Sequence, residues 1–417
     1  MSLLESVPTQ PKGGPAWLAP LREKAHAALE SGGLPTKKTE AWRFTSVRAL
    51  VKGEWAPAKP LAPAERASAS GWEALFAGGQ YLGALDKSAP PEGVGVHRLG
   101  ADGGPDVRER LGAVLPNEHF VALNTAMFDE AVVLHVSAPV AEPVTLRYVA
   151  AGAGQVAYPR VLVVLAPGAE LTLVERWEGT GESFTDAVTE VHLGANAGLE
   201  HVRVHEDAGA LVGALSVHQE RDSRYTSRVF SFAGAPMRLD LRVELAGKGA
   251  RAVLDGAYLV GGEAHVDHHV RVDHVAPHCF SQQRYRGVVA DRGTAVFDGQ
   301  AIVHQSAPAS EAHQENRNLL LSDTAHVHTK PHLEIENDDV VASHGATVGS
   351  LDAGQLFYLR SRGVPADTAR AILTYAFLEA LVDEVRLPAL AKELQGDLLD
   401  RLPEGDVLRA FEVEEEL

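Results

Sequence analysis

Eleven of the 19 histidines fall between His265 and His344. Neutral imidazole is the commonest nitrogen ligand for iron, zinc and copper, and it also carries protons near neutral pH. The densest group is His326-Val327-His328, followed by His332 and Glu334. Residues two apart share a face in a strand, so His326 and His328 could converge on one metal. The plainer reading puts these two, and the histidines of AHVDHHVRVDH (Ala264 to His274), on the outer polar face of a β structure. His344 stands apart, in Ser343-His344-Gly345, at the last β turn before a helical tail.

Several elements must hold these residues. From about Ala131 to Val341 the chain is a succession of short runs such as AVVLHV, RVLVVLAP and YTSRVFSF, rich in Val, Tyr and Phe and often alternating apolar with polar residues. Glycine, proline and asparagine punctuate them, and no amphipathic helix intervenes, which excludes a βαβ fold. Strand-like runs recur every ten or so residues without a strict repeat, which favours a β-helix. A double-sheeted jelly roll is the alternative.

Before this region, Trp17, Leu18, Leu21, Ala25, Ala28 and Leu29 recur at helical spacing, and Ser31-Gly32-Gly33 stops the run. Trp42 and Phe44 read as residues that dock this segment on the next domain. Residues 53 to 107, rich in Ala, Pro and Gly, read as a linker with one short helix near Trp72 to Phe76. After the β region, Leu356, Phe357 and Leu359 open a helical pattern that Gly363 stops. Pro365 starts a longer helix with an apolar stripe of Ile372, Leu373, Ala376, Phe377, Ala380 and Leu381. Pro388 opens another, carrying Leu390, Leu394 and Leu398; the end, FEVEEEL, is acidic and read as frayed. The expected domains are residues 1–129 (helical and linker), 130–350 (β core) and 351–417 (helical).

The chain carries 38 basic and 56 acidic residues, a net charge of −18, which argues against nucleic acid or an anionic membrane as the main partner. No run approaches the roughly 18 apolar residues of a membrane span. The N-terminus lacks the basic start and apolar core of a signal peptide, so a cytoplasmic protein is expected. Cys279 is the only cysteine, which excludes an internal disulfide framework. There is no P-loop, dinucleotide fingerprint, Gly-x-Ser-x-Gly elbow or Cys-x-x-Cys.

Long motifs carry a resemblance. SQQRYRG (Ser281 to Gly287), HQSAPASEAHQENRNLLLS (His304 to Ser322), HTKPHLEI (His328 to Ile335), SHGATVG (Ser343 to Gly349) and LFYLRSRGV (Leu356 to Val364) are similar to the C-terminal signature of the SufB/SufD family. That family supplies the scaffold proteins of the Suf iron–sulfur cluster assembly system. KTEAWRFT (Lys38 to Thr45) resembles its opening motif, and the SHGATVG and FYLRSRG wording resembles the SufD branch.

The resemblance implies a right-handed parallel β-helix flanked by helical regions. It implies pairing with a SufB-like protein through the β-helix and docking of a SufC-like ATPase on the C-terminal helices. His344 takes the place of the histidine that faces the SufB cysteine at which the nascent cluster forms. Tyr358 and Arg362, at i and i+4 on one helix face, with Phe357 and Arg360, take the ATPase-docking role. The chain would be a non-catalytic subunit, with no cofactor of its own and a nascent cluster shared with SufB; a homodimer is one open alternative for the form without SufB. Iron–sulfur clusters are usually held by four thiolates, so the sulfur ligands must come from another subunit. Where SufB has its cluster cysteine this chain has Ala325, and Ala342 precedes SHGATVG; Cys279 reads as a small buried filler. Two rival readings are a cupin-like metalloenzyme, for which Glu334 falls one residue too far from His326 and His328, and a β-helix polysaccharide lyase.

Overall fold

The structure of the protein, a computed structural model, describes residues 3–8, 12–59, 71–85, 88–99, 104–116, 118–179, 182–206, 209–232 and 234–409. The acidic end at 411–417 and residues 60–70 of the expected linker lie outside them.

The β region is a parallel solenoid of about seven turns. Each coil gives one strand to each of two sheets. The first sheet takes Ala131–Val136, Arg160–Leu165, Phe184–Leu193, Ala210–Gln219, Met237–Leu245, His265–His274, Thr294–Val303 and His326–Ile335. The second takes Val144–Val149, Glu170–Glu178, Gly198–His205, Arg224–Ser231, Arg251–Val260, Phe280–Val289, Ser310–Leu320 and Val340–Gly349. Successive strands of each sheet pair in parallel, in unbroken register. Jelly rolls are antiparallel, so that alternative falls, and the cupin comparison with it.

Strand alternation sends one set of side chains between the sheets, where they form the main apolar core. The register stacks each inward residue on its counterpart one coil along. Glu175 and Arg203 form a fully buried ion pair (2.7 Å) there, and the carboxylate also accepts from Tyr148 and Thr189 (both 3.1 Å). Burial pushes the Glu175 carboxyl up, but Arg203 and His201 more than reverse this and hold it near 2. The outer-face expectation for AHVDHHVRVDH holds for His265 and His269 and fails for His268 and His274. Adjacent histidines must point to opposite faces, and His268 and His274 point inward, where burial holds both near 4 and neutral.

The linker reading of 53–107 is overturned in part. Trp72–Ala77 is a wholly buried strand pairing in parallel with Val144–Val149. Six residues between Gly71 and Gly78 are too few for a stable helix, and burial outweighs the helix propensity of Glu, Ala and Leu. Gln80–Ala84 folds back antiparallel on that strand, and Val94–Arg98 runs antiparallel to Ala131–Val136. These two strands finish the first coil.

Helix α1 (Ala19–Gly32) ends where Gly33 adopts a φ of 61, as the Gly-Gly signal predicts. It packs with α2 (His119–Met127) and Trp42 over the start of the solenoid. Trp42 docks as expected: it is buried, with the Arg238 guanidinium 3.7 Å over its ring. No described helix is long and apolar enough to cross a membrane.

Three helices follow the last strand: α3 (Ala353–Ser361), α4 (Ala366–Val382) and α5 (Pro388–Arg401). Of the expected stripe on α4 only Leu381 is buried. Ala371, Thr374, Leu378, Leu381 and Val382 are buried, while Ala376 and Ala380 are exposed. Apolar residues run most of the way round this helix, so periodicity alone offered two faces. The smaller residues Ala371 and Thr374 lie on the face that packs. Leu378, Leu381, Leu390, Leu394 and Leu398 seal the helix pair onto Val202, Val204 and Phe230 of the second sheet. Around this seal, Arg176 binds Glu393 (2.7 Å), Arg284 reaches Glu384 (3.4 Å) and Arg286 donates to the Phe377 carbonyl (2.8 Å).

Two expectations follow. Tyr258 lies opposite Gly287, and a Cβ at Gly287 would overlap its ring. Gly287→Ala should therefore lower stability by about 1–3 kcal/mol, as overpacking does; an unchanged denaturation midpoint would refute the stacking argument. The second concerns Asp397 on α5, whose carboxyl is pushed up to about 7 by burial and by the hydrogen bond with Glu206. The folded protein thus holds a proton that the unfolded chain releases, so this stabilisation is complete below the ordinary carboxyl value and lost as pH rises through about 7. The melting temperature of Asp397→Asn relative to wild type should rise between pH 5 and pH 8; a constant difference would refute it.

Candidate functional site

The two strands that close the solenoid, His326–Ile335 and Val340–Gly349, each have a neighbour on one side only. Their other edges present backbone N–H and C=O groups with no next coil to take them. Such an edge is a ready template for another chain. Apolar side chains rim it: Val341 is 61% exposed, and Ile335 and Val348 are also exposed.

His344 lies on this terminal strand, and the register fixes its direction. It is opposite Gln314, which is opposite Gln283. Both glutamines are buried inside the solenoid. His344 continues that inward column and, with no further coil above it, stands exposed over the mouth of the interior. No hydrogen bond or ion pair engages its imidazole among the described residues, so both nitrogens are free for a ligand or a proton. On the opposite face its neighbour Ser343 bonds His313 (2.8 Å).

His326 and His328 share a face as the spacing predicts, but it is the outer face of the first sheet. The ring of His328 stacks on Phe44 (centroids 4.0 Å apart, planes 12° apart), and burial together with His326 lowers its pKa. Neither gains a third ligand: no group of three His, Cys, Asp or Glu side chains is placed to hold a metal among the described residues. Cys279 is buried, its sulfur 3.4 Å from the Gly247 carbonyl oxygen, and burial raises its pKa, so the thiol stays protonated. It fills core space, as expected. Ala325 is buried and brings no ligand.

The second candidate surface is α3. Asp352 caps it by accepting from the Gln355 N–H (2.7 Å), and Gly363 ends it with a φ of 91. None of its residues is buried. Phe357 is 73% exposed and Tyr358 56%. Arg362 follows the helix and sets its guanidinium 5.0 Å over the Tyr358 ring, as the i, i+4 spacing predicts. Neither Arg360 nor Arg362 makes an ion pair among the described residues. An exposed helix with two aromatics and two free arginines has the composition of an interface anchor. Sequence reasoning passed over Val341, Val348 and Ile335; the signal was present in the apolar residues flanking SHGAT, but only the register shows that nothing covers them.

Comparison with known proteins shows the family of the chain. The family model described as SUF system FeS cluster assembly, SufBD core domain, matches residues 148–377. The iron–sulfur cluster assembly protein SufD of Escherichia coli is 30% identical over 395 residues, covering 89% of this chain and 90% of that protein. An iron–sulfur cluster assembly SufBD family protein of Synechocystis is 29% identical over 402 residues, covering 90% and 89%. SufD of Bacillus subtilis is 27% identical over 287 residues, covering 67% and 66%. With a solenoid, an open last coil and a family model spanning more than half its length, the chain belongs to the SufB/SufD family of the Suf iron–sulfur cluster assembly system, and it is most like SufD.

Proposed function

We propose that this chain is a scaffold subunit that pairs with a SufB-like protein through the open end of its solenoid and docks a SufC-like ATPase on α3. The observation that carries the reading is His344 standing unpartnered over the mouth of an uncapped coil. A partner strand laid along this edge would pair the free backbone groups and cover Val341 and Val348. It would also enclose His344 in a polar pocket shared between the two chains.

The nascent iron–sulfur cluster is the cargo of this pocket. Sulfide and iron combine with loss of protons from the hydrosulfide, and His344 is placed to accept a proton or to ligate iron. The thiolates come from the partner, because the single cysteine is buried and protonated. ATP hydrolysis likewise belongs to the partner, since this sequence has no P-loop. The chain thus acts as an accessory rather than as a free-standing enzyme. In the absence of SufB the same edge would accept a second copy of this chain.

The helix pair α4–α5 is sealed to the second sheet, whereas α3 is bare. Deleting residues 351–417 would uncover that seal, so point changes on α3 are the cleaner test of ATPase docking. Arg362→Glu should weaken ATPase binding at least tenfold, about 1.4 kcal/mol, in isothermal titration; wild-type affinity would remove the docking assignment. His344→Ala should leave folding and complex stoichiometry intact while lowering cluster yield in reconstitution. Undiminished yield in the assembled complex would remove the role given to His344.

A further inference from the structure

The KTEAWRFT segment crosses the outer face of the first sheet and, with the start of α2, roofs a cavity of about 210 Å³. Three features of its wall have no part in scaffold assembly.

The first is Arg242. It is half-buried, yet it makes no hydrogen bond or ion pair among the described residues. Its neighbours are committed: Arg238 to Asp240 and Asp267 (both 2.9 Å), and Arg271 to Asp273 (2.7 Å). Arg242 is also opposite Arg271 on the next rung, so two guanidiniums start about 4.8 Å apart at the backbone. Burial outweighs the through-space attraction of Asp240, Asp273 and Glu118 and lowers the Arg242 pKa, so a wall with like charges side by side, one of them without a direct partner, suits an anion. The second is Asp186, 1% exposed, whose Oδ2 has no partner. Burial pushes this carboxyl well up, against the pull of Arg160, which favours the protonated form that donates. The third is α2, whose first turn lines the cavity and whose start no side chain caps. A helix N-terminus favours negative charge.

Three carboxylates also line the cavity. Asp240 is held by Arg238, and Asp298 accepts from Gln300 (2.9 Å) and lies 3.8 Å from Lys330. Glu118 is exposed and is the N-cap residue of α2. Asp240, Asp273 and Glu118 attract Arg242 through space, but none forms an ion pair with it among the described residues.

We propose that this cavity binds a small oxyanion of the phosphate or sulfate type, anchored by Arg242, with Asp186 and the α2 N-terminus donating to it. The volume exceeds that of one such ion, so the phosphoryl group of a small phosphate ester fits the same chemistry. Because Thr39, Ala41 and Trp42 form the roof, the bound anion also ties the N-terminal segment to the solenoid. The inference stands independently of the partner assignments above.

The test is isothermal titration of the full-length protein in chloride buffer, at matched ionic strength, with sodium phosphate, sodium sulfate and glycerol 3-phosphate. Saturable binding at one site is expected, weakened at least tenfold by Arg242→Gln. The exposed Arg292→Gln removes the same charge far from the cavity and should bind as wild type. In chloride alone, Arg242→Gln should melt no lower than wild type, because it removes a half-buried charge whose burial outweighs its attraction to nearby carboxylates; this separates lost binding from lost fold. Tighter binding of glycerol 3-phosphate than of phosphate identifies an ester as the source, and weaker binding identifies the free ion. Absence of saturable heat with all three, or equal affinity in wild type and Arg242→Gln, overturns the proposal.

Discussion

Parallel pairing between successive coils is the constraint on which everything else depends. Each backbone N–H and C=O of a coil is satisfied by the coil before and the coil after, about 4.8 Å away. The same pairing places each side chain directly above its counterpart. Columns must therefore be compatible from rung to rung. Tyr258 over Gly287 and Tyr285 over Gly256 show how a large ring is accommodated by a residue with no side chain. Glu175 and Arg203, directly opposite each other on adjacent rungs of one column, show how a buried charge is answered within the stack. Removing either partner alone would strand the other in the core, where an uncompensated charge is costly.

A ladder of this kind has two ends, and this molecule treats them differently. At the start, antiparallel strands and the α1–α2 layer finish the first coil. At the finish no described residue does. Natural proteins blunt exposed edges unless an edge is used, so the bare last coil and the bare α3 beside it belong together. The polypeptide leaves the final strand, presents α3, turns at Gly363 and only then returns to cover the second sheet with α4 and α5. The order places both exposed surfaces within one continuous stretch of about forty residues, the one richest in family motifs.

Much of this was legible in the sequence. Alternation and Gly/Asn punctuation gave the β core, and Gly33, Gly363 and Pro388 marked helix ends where the structure has them. WEALFA was read as a helix because six residues carry too little periodicity to outweigh propensity, and burial on both faces decided otherwise. The α4 face was misjudged because apolar residues nearly encircle that helix. The inward placement of His268, His274 and His344 was hidden for a different reason. A strand's alternation gives two faces without saying which is inside, and only pairing with the neighbouring coil resolves it. Arg242 was invisible for the same reason: an arginine in a run such as LDLRVEL reads as a solvated outer residue until the covering segment is seen.

The column rule also bears on how the length of such a chain can change over evolutionary time. Partners in one column need not be similar, only compatible, which is why no strict repeat survives in the sequence. One residue inserted within a strand would turn that coil inside out, carrying charges into the core and valines to the surface. The same residue inserted at a turn would pass unnoticed. Descendants of this chain should therefore vary in their turns and, when they gain or lose core, do so by whole coils.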